Sequence, residues 1–311
     1  MIFGDTTIYS LGLKGLRTGT ALIIISLLVF TSCQKSLEDE KQFKEEAAIQ
    51  KYIETKKWEY SEEQGIFHAI RTKKYGYQVA AGDTVAFWYK AYNLSGLVFA
   101  TNIRKEAYRA NLDTVNFTFD STVWVAGSKT LIEGLERGLF MAREGQDGSI
   151  LFPSAYGFGD NATGPLQPWT SLIYDIHVIY TKNPSIAKER AVVANFVAAN
   201  EGFTLQTDGF YMKHIIQGAG VSPAKTDTII GSYLVTTLDG AEVARSYSDT
   251  LILSDKRLPL AVRLAVPLIK EGAEVSVLAP SPLAYGVTGT NIVAPYEPIL
   301  CGIKFQKKIK K

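Results

Sequence analysis

Few residues in this chain have a type and spacing that would make or break bonds. The three histidines, His68, His177 and His214, sit in strand-like runs and share no metal-ligand spacing. His177 alternates with apolar neighbours, as a solvent-facing strand residue does. Asp120, Asp160 and Asp175 pair with no evident nucleophile, and Gly157-Phe158-Gly159 is too short for a phosphate loop and opens no helix. Cys301 lies in the apolar run P-I-L-C-G-I-K-F and reads as a buried strand residue. Chemistry that needs a metal, a nucleophile or a phosphate cradle finds no support in these residues.

The elements that carry them are written twice. E-E-A-A-I-Q-K-Y-I at 45–53 returns as E-R-A-V-V-A-N-F-V at 189–197, 144 residues on. The same step carries Gly65 onto Gly209, Gly76 onto Gly220, the D-T-V of 83–85 onto the D-T-I of 227–229, and Tyr89 onto Tyr233. The register then changes, but E-G at 144–145 answers E-G at 271–272, and A-Y-G at 155–157 answers A-Y-G at 284–286. A period this long is the size of a domain, so the chain reads as a tandem duplication of one module. A length of 311 residues agrees with about two domains. At 46% hydrophobic and 21% charged, neither disorder nor a multi-span membrane protein fits. A net charge of +2 with scattered Lys and Arg gives no footprint for nucleic acid, and the closing K-K-I-K-K reads as a solvated tail.

Each copy opens with a helical pattern: Phe43, Ala47, Ile49, Tyr52 and Ile53 in the first, and Ala191, Val192, Phe196 and Val197 after Pro184-Ser185 in the second. The pattern then switches to β. D-T-V-A-F-W-Y-K-A-Y-N-L at 83–94 is rich in aromatic and β-branched residues and breaks at Ser95-Gly96. V-N-F-T-F at 115–119 alternates with period two, and L-I-E-G-L-E-R-G-L-F-M at 131–141 reads as a short amphipathic helix. S-I-L-F at 149–152, a Gly/Asn/Pro loop at 157–168 and the strand S-L-I-Y-D-I-H-V-I-Y at 171–180 complete the module. The fold class is α+β: two modules, each a curved antiparallel sheet wrapped on a short helix and preceded by an extra N-terminal helix. The expected boundaries are 45–182 and 183–311, the second copy being degenerate.

That order of elements resembles the FKBP-type peptidyl-prolyl isomerases over roughly 75–181 and 219–306. The anchors are the G-D-T-V start, the E-G turn after the helix, the A-Y-G loop, and the ending P-L-Q-P-W-T-S-L-I-Y-D-I. The resemblance implies prolyl isomerisation, which requires no nucleophile and no cofactor. Twisting an amide costs roughly 18–20 kcal/mol because resonance is lost, and a site that desolvates the prolyl amide and prefers its twisted form lowers that barrier. The matching positions are Tyr89, Phe99 and Tyr156 as the catalytic set, with Phe117, Leu131, Ile132, Leu135, Leu166 and Tyr174 binding substrate. Leu135 replaces the common floor Trp, Tyr174 the usual Phe, and Ala100 the family's Asp. In the second copy Tyr233 and Tyr285 persist. Val243, Ala244, Val262 and Cys301 replace the remaining cup positions, and Leu258-Pro259 stands at the dipeptide position. Two readings follow: a weakly active isomerase in the first module, or an FKBP-like chaperone or assembly subunit that holds extended Pro-containing segments without turnover.

The N-terminus reads as an address. Lys14 and Arg17 precede the apolar run A-L-I-I-I-S-L-L-V-F at 21–30, and Thr31-Ser32 precede Cys33. A run of ten residues, nine of them apolar, suits a signal peptide rather than a permanent span of about 30 Å. The pattern resembles a bacterial lipoprotein signal over 1–32, with lipidation at Cys33 and a charged tether over 33–44. Such a protein is exported and held on a bacterial envelope membrane, with unfolded or Pro-containing envelope polypeptides as partners. Cys33→Ser is expected to leave the precursor unprocessed and the protein free of membranes; labelled palmitate on the variant would contradict this.

Overall fold

The computed structural model describes residues 37–309, apart from 118 and 248. Helix α1 (Leu37–Lys56) leads into a hairpin of β1 (Glu59–Glu63) and β2 (Ile66–Ile70). The hairpin turns on Gln64 and Gly65, both at positive φ (49° and 78°), the type I′ geometry that matches strand twist. Next come β3 (Thr84–Asn93), β4 (Val98–Thr101), helix α2 (Arg104–Arg109), β5 (Thr122–Val125), helix α3 (Glu133–Phe140), β6 (Asp147–Phe152) and β7 (Leu172–Lys182). Seven antiparallel strands form one sheet in the order β1-β2-β6-β7-β3-β4, with β5 also on β3.

The chain then repeats itself. Helix α4 (Pro184–Ala199) precedes β8 (Thr204–Leu205), β9 (Tyr211–Ile216), β10 (Thr228–Thr237), β11 (Glu242–Arg245), β12 (Thr250–Ile252), helix α5 (Leu260–Ala265), β13 (Glu274–Ala279) and β14 (Ile299–Lys308). Their order is β8-β9-β13-β14-β10-β11, with β12 on β10, which is the first sheet's topology again. The duplication read in the sequence is therefore a duplication of topology. Glu45–Lys311 is one compact unit that holds both sheets.

Period-two patterning explains how one sheet binds two helices. In the first sheet Ile150, Phe152, Tyr174, Ile176, Val85 and Phe87 share a core with Leu135 and Leu139 of α3. The alternate residues Leu151, Ile173, Phe67, Ala69 and Tyr92 share a second core with Ile49 and Ile53 of α1. Helix α3 lies very close to β6. A Cβ added at Gly134 or Gly138 would come within 2.3 Å of Phe152 or 2.1 Å of Ile150, so the two glycines of E-G-L-E-R-G set that approach.

Several local expectations give way. The described residues of V-N-F-T-F at 115–119 lie in no strand. Asp113 caps a turn there, accepting from the backbone N–H groups of Val115 (2.8 Å) and Asn116 (3.3 Å), and the edge of β3 is taken by T-V-W-V at 122–125, anchored by buried Trp124. Short alternating runs do not by themselves say which segment will pair. The buried stripe of α4 is Ile186, Glu189 and Val193, with Val192 exposed, and Phe43 and Ala47 of α1 lie outside the core. The helix begins at Leu37, so most of the expected tether is helical, while 1–36, including Cys33, lies outside the described residues. At the other end β14 runs to Lys308, whose ammonium pairs with Asp227 at 2.6 Å.

The joint between the repeats is bonded on both sides. The Asn183 side chain accepts from Ile186 N as the cap of α4 and donates to Asp83 in the first repeat (2.6 Å). Arg190 holds Glu144 with both contacts inside 2.7 Å, and its neighbour Glu189 turns the opposite way to Ser281.

His68 gives this fold a pH signature. It is 1% exposed, its Nε2 has no hydrogen-bond partner, and burial lowers its pKa from 6.5 to about 4. Between those values the unfolded chain binds a proton that the native ring refuses, so stability falls as pH drops from 6.5 towards 4, by up to about 3 kcal/mol. Urea midpoints over this range should slope less steeply for His68→Leu than for the wild type; parallel slopes would show that His68 carries no such linkage.

Candidate functional site

The site forms where β4 leaves β3. Ala91 pairs with Ala100 but Tyr92 with Val98, so Phe99 is the extra residue of a bulge, the device that re-aims a side chain at a sheet edge. Beyond the bulge, side chains replace the ladder. Asn102 Oδ1 accepts from Tyr89 N (2.7 Å), its amide donates to Phe87 O (3.0 Å) and Thr122 Oγ1 (3.1 Å), and Thr101 Oγ1 donates to Tyr89 O (2.6 Å). Tyr89 is thus held at both its backbone N–H and C=O. Asn102 was not singled out in the sequence; its signal was a buried-polar residue directly after the strand V-F-A-T.

Five rings meet there. Tyr174 of β7, only 6% exposed, contacts Tyr89 (centroids 5.8 Å), Phe99 (6.1 Å) and, stacked, Phe152 (5.8 Å). Phe158 meets Phe99 edge-on at 6.2 Å. Leu131 and Ile132, just before α3, are half-buried against the same core, with Leu135 buried beneath. Burial raises the pKa of Tyr174, with the neighbouring Tyr89 adding to it, and burial raises that of Tyr89 as well. Both phenols are therefore neutral hydrogen-bond donors at any physiological pH. Ala100 leaves the bulge without an acid. The arrangement is an apolar aromatic cup with neutral donors and no nucleophile.

Three site expectations need correction. Phe117 is 65% exposed, because it lies in no strand, and does not join the cup. Leu166 is 2% exposed and belongs to the core rather than to an open wall. Tyr156 packs on the same core but makes no ring contact with Tyr89, Phe99 or Tyr174 among the described residues: its ring lies under the Arg137 guanidinium (4.7 Å) and near Gly65.

The second repeat shows why. Gly157 and Gly159 both donate to Ser154 O (2.8 and 2.9 Å), as Ala284 and Gly286 donate to Ser281 O (2.9 and 2.8 Å). Trp169 N donates to Gly159 O and Tyr296 N to Gly286 O, and Trp169 and Tyr296 share a positive φ (60° and 57°). In space, then, Tyr285 corresponds to Phe158, and Leu283 to Tyr156. The two A-Y-G strings are out of step by two residues, a slip that the identical letters conceal.

The second cup is sparser. Val243 takes the bulge position, since Val235 pairs with Ala244 and Thr236 with Glu242. Tyr233 N is held by Ser246 Oγ (3.1 Å) in place of the Asn. Cys301 is fully buried, and burial pushes its thiol up to about 12, which leaves it inert. Pro259 immediately precedes α5 and offers no backbone N–H.

Residues 76–179 match the profile of the FKBP-type peptidyl-prolyl cis-trans isomerase family. The chain carries an FKBP-type domain. Mouse peptidyl-prolyl cis-trans isomerase FKBP9 is 22% identical over 220 residues, which is 71% of this chain and 34% of that protein. The FKBP-type isomerase FkpA of Escherichia coli K12 is 25% identical over 116 residues, 34% of this chain and 40% of the relative. The chain thus spans about a third of the length of FKBP9. Among solved structures, Escherichia coli FkpA aligns over 39% of this chain and 58% of its own (25% identity, TM-score 0.35). The three FKBP domains of wheat FKBP73 align over 81% and 100% (15% identity, TM-score 0.32).

The corrected geometry separates the two aromatic residues of the loop. Phe158→Ala should weaken binding of a proline-containing peptide by about ten- to a hundredfold, as loss of a ring that packs on the ligand implies, and Tyr156→Phe should leave it unchanged. Titration of each full-length variant checks this, and weakened binding by Tyr156→Phe would return that hydroxyl to the cup.

Proposed function

We propose that the first repeat is a peptidyl-prolyl cis-trans isomerase of low turnover. The observation that carries this reading is the ring set Tyr89, Phe99, Phe158 and Tyr174 beside Leu131 and Ile132 in a domain of the isomerase family. An apolar ring such as proline is desolvated against these faces, and removing water from the amide favours the twisted, less polar state. The Tyr89 and Tyr174 phenols supply neutral donors for a substrate carbonyl. Without an acid at Ala100, one polar partner is missing, hence the low turnover. The second repeat, with Val243 and Cys301 in place of rings, serves as a binding or structural module.

Its setting follows from the N-terminus. The short apolar run before Cys33 supports export and lipid anchoring to a bacterial envelope membrane, with non-native, proline-containing envelope polypeptides as clients. Among the described residues no helix is long and apolar enough to cross a membrane.

A second reading is favoured by one observation. Both bulges carry alanine, Ala100 and Ala244, where an acid would stand, which suits a module that holds extended segments without turning them over.

The rate of a proline-limited refolding phase distinguishes the two. Phe99→Ala should lower turnover by about ten- to a hundredfold, on the order of 1.4–2.8 kcal/mol, and Tyr233→Ala should leave it untouched. Ala100→Asp should raise it. No acceleration by the wild type, with client binding intact, would establish the holding function instead.

A further inference from the structure

The helix that precedes each FKBP-like sheet does more than cover a sheet face. In the first repeat the Glu45 carboxylate accepts three hydrogen bonds: Ser154 N (2.5 Å) and Ser171 Oγ (3.0 Å) on Oε2, and Ser154 Oγ (2.7 Å) on Oε1. Ser154 and Ser171 are the two stems of a single long loop, one following β6 and the other preceding β7, and both are buried. That loop carries Phe158. Its tight turn hangs on the Ser154 carbonyl, which accepts from both Gly157 and Gly159. One side chain from outside the sheet therefore gathers both ends of the segment that supplies a wall of the cup.

The second repeat builds the same device independently. Glu189 of α4 accepts from Ser281 N and from Ser281 Oγ (2.7 Å), and Ser281 O again accepts from the residues on either side of the aromatic Tyr285. Pro298 occupies the position of Ser171 and brings no hydroxyl. Tyr77 of the first repeat lies near Glu189, its phenol pKa raised by burial and then by that carboxylate. Two copies that differ at most cup residues thus keep the glutamate, the serine and the turn. Geometry retained while the rings around it change points to the loop itself, not to one ligand.

We infer that Glu45 is a positioning residue of the first cup: it fixes the loop that holds Phe158 against Phe99. The inference takes its functional meaning from the proposed isomerase site, but the clamp is measurable without turnover. A carboxylate suits the place because three donors converge on two oxygens, and bonds to an ionised acceptor are the stronger kind. Glutamine keeps one good acceptor and the volume. Alanine keeps neither.

Amide hydrogen exchange on the full chain reads the clamp directly. Glu45→Ala should speed exchange at Gly157 and Gly159 by about tenfold or more, with Ala91 and Ile176 in the central ladder unchanged. Glu45→Gln should give an intermediate rate and guards against wholesale unfolding of the alanine variant. Glu189→Ala should speed Ala284 and Gly286 and leave Gly157 and Gly159 alone. In a peptide isomerisation assay, Glu45→Ala should raise KM about tenfold with kcat nearly constant, and Glu45→Gln should restore part of the loss. A wild type without turnover would end the isomerase reading yet leave the exchange result standing. Unchanged exchange at Gly157 and Gly159 in Glu45→Ala, or equal acceleration there and in the ladder of both variants, would overturn the clamp.

Discussion

Everything in the first repeat rests on the antiparallel ladder between β3 and β7, which runs from Thr84 opposite Lys182 to Asn93 opposite Leu172. This ladder is long and apolar on one face throughout, and it is apolar on the other face at one end. It can therefore bury Leu135 and Leu139 on one side and Ile49 and Ile53 on the other. Tyr89 and Tyr174 are rungs of it, so the floor of the cup is as rigid as the centre of the sheet. The walls are not rungs. Phe99 comes from a bulge and Phe158 from a loop, and both need other residues to hold them. Asn102 and Glu45 meet that need, one by replacing lost ladder bonds and the other by tying loop ends.

The division between rigid floor and held walls accounts for how the two repeats have diverged. The ladder and the serine-glutamate clamp persist in both. What changes is the filling: Phe99 becomes Val243, Tyr174 becomes Cys301 and Phe158 becomes Tyr285. The wall positions Phe99 and Phe158 are only partly buried and can change at little cost to the sheet, whereas the Tyr174 position stays buried as Cys301 and still fills the core. The cup cannot lose Ser281 or Glu189 so cheaply, since a buried partner left unpaired is penalised by the full desolvation of its polar atoms.

The repeats are also not independent beads. Adjacent residues of α4 reach opposite ways, Arg190 to Glu144 and Glu189 to Ser281, and Tyr77 of the first repeat meets Glu189. The pKa of Glu144 is raised chiefly by burial, with Arg190 opposing that shift. The pair itself is part-exposed (side chains 41% and 22%), so its charge contributes modestly and its bidentate geometry mainly fixes where the helix sits. The helix between the sheets is accordingly a shared wall, bonded to Glu144 of the first repeat and to Ser281 of the second.

The amino-acid sequence by itself determined the duplication, the α+β order, and the strands at 83–94 and 171–180. Those features are local, because period-two apolar patterning and turn residues act within a few positions of one another. Tyr89, Phe99, Leu131, Ile132 and Tyr174 were picked out by the resemblance rather than by patterning, and the fold packs them on one core. Tertiary structure alone decided the rest. V-N-F-T-F and T-V-W-V both look like strands, and only the edge of β3, where buried Trp124 makes the better fit, chooses between them. The string A-Y-G occurs twice, but register in a loop is set by which carbonyl gathers its amides, so Phe158 and not Tyr156 meets the rings of the cup. Glu45 and Ser154 stand 109 positions apart, and no pattern along the chain announces a bond between residues that meet only once the sheet is folded.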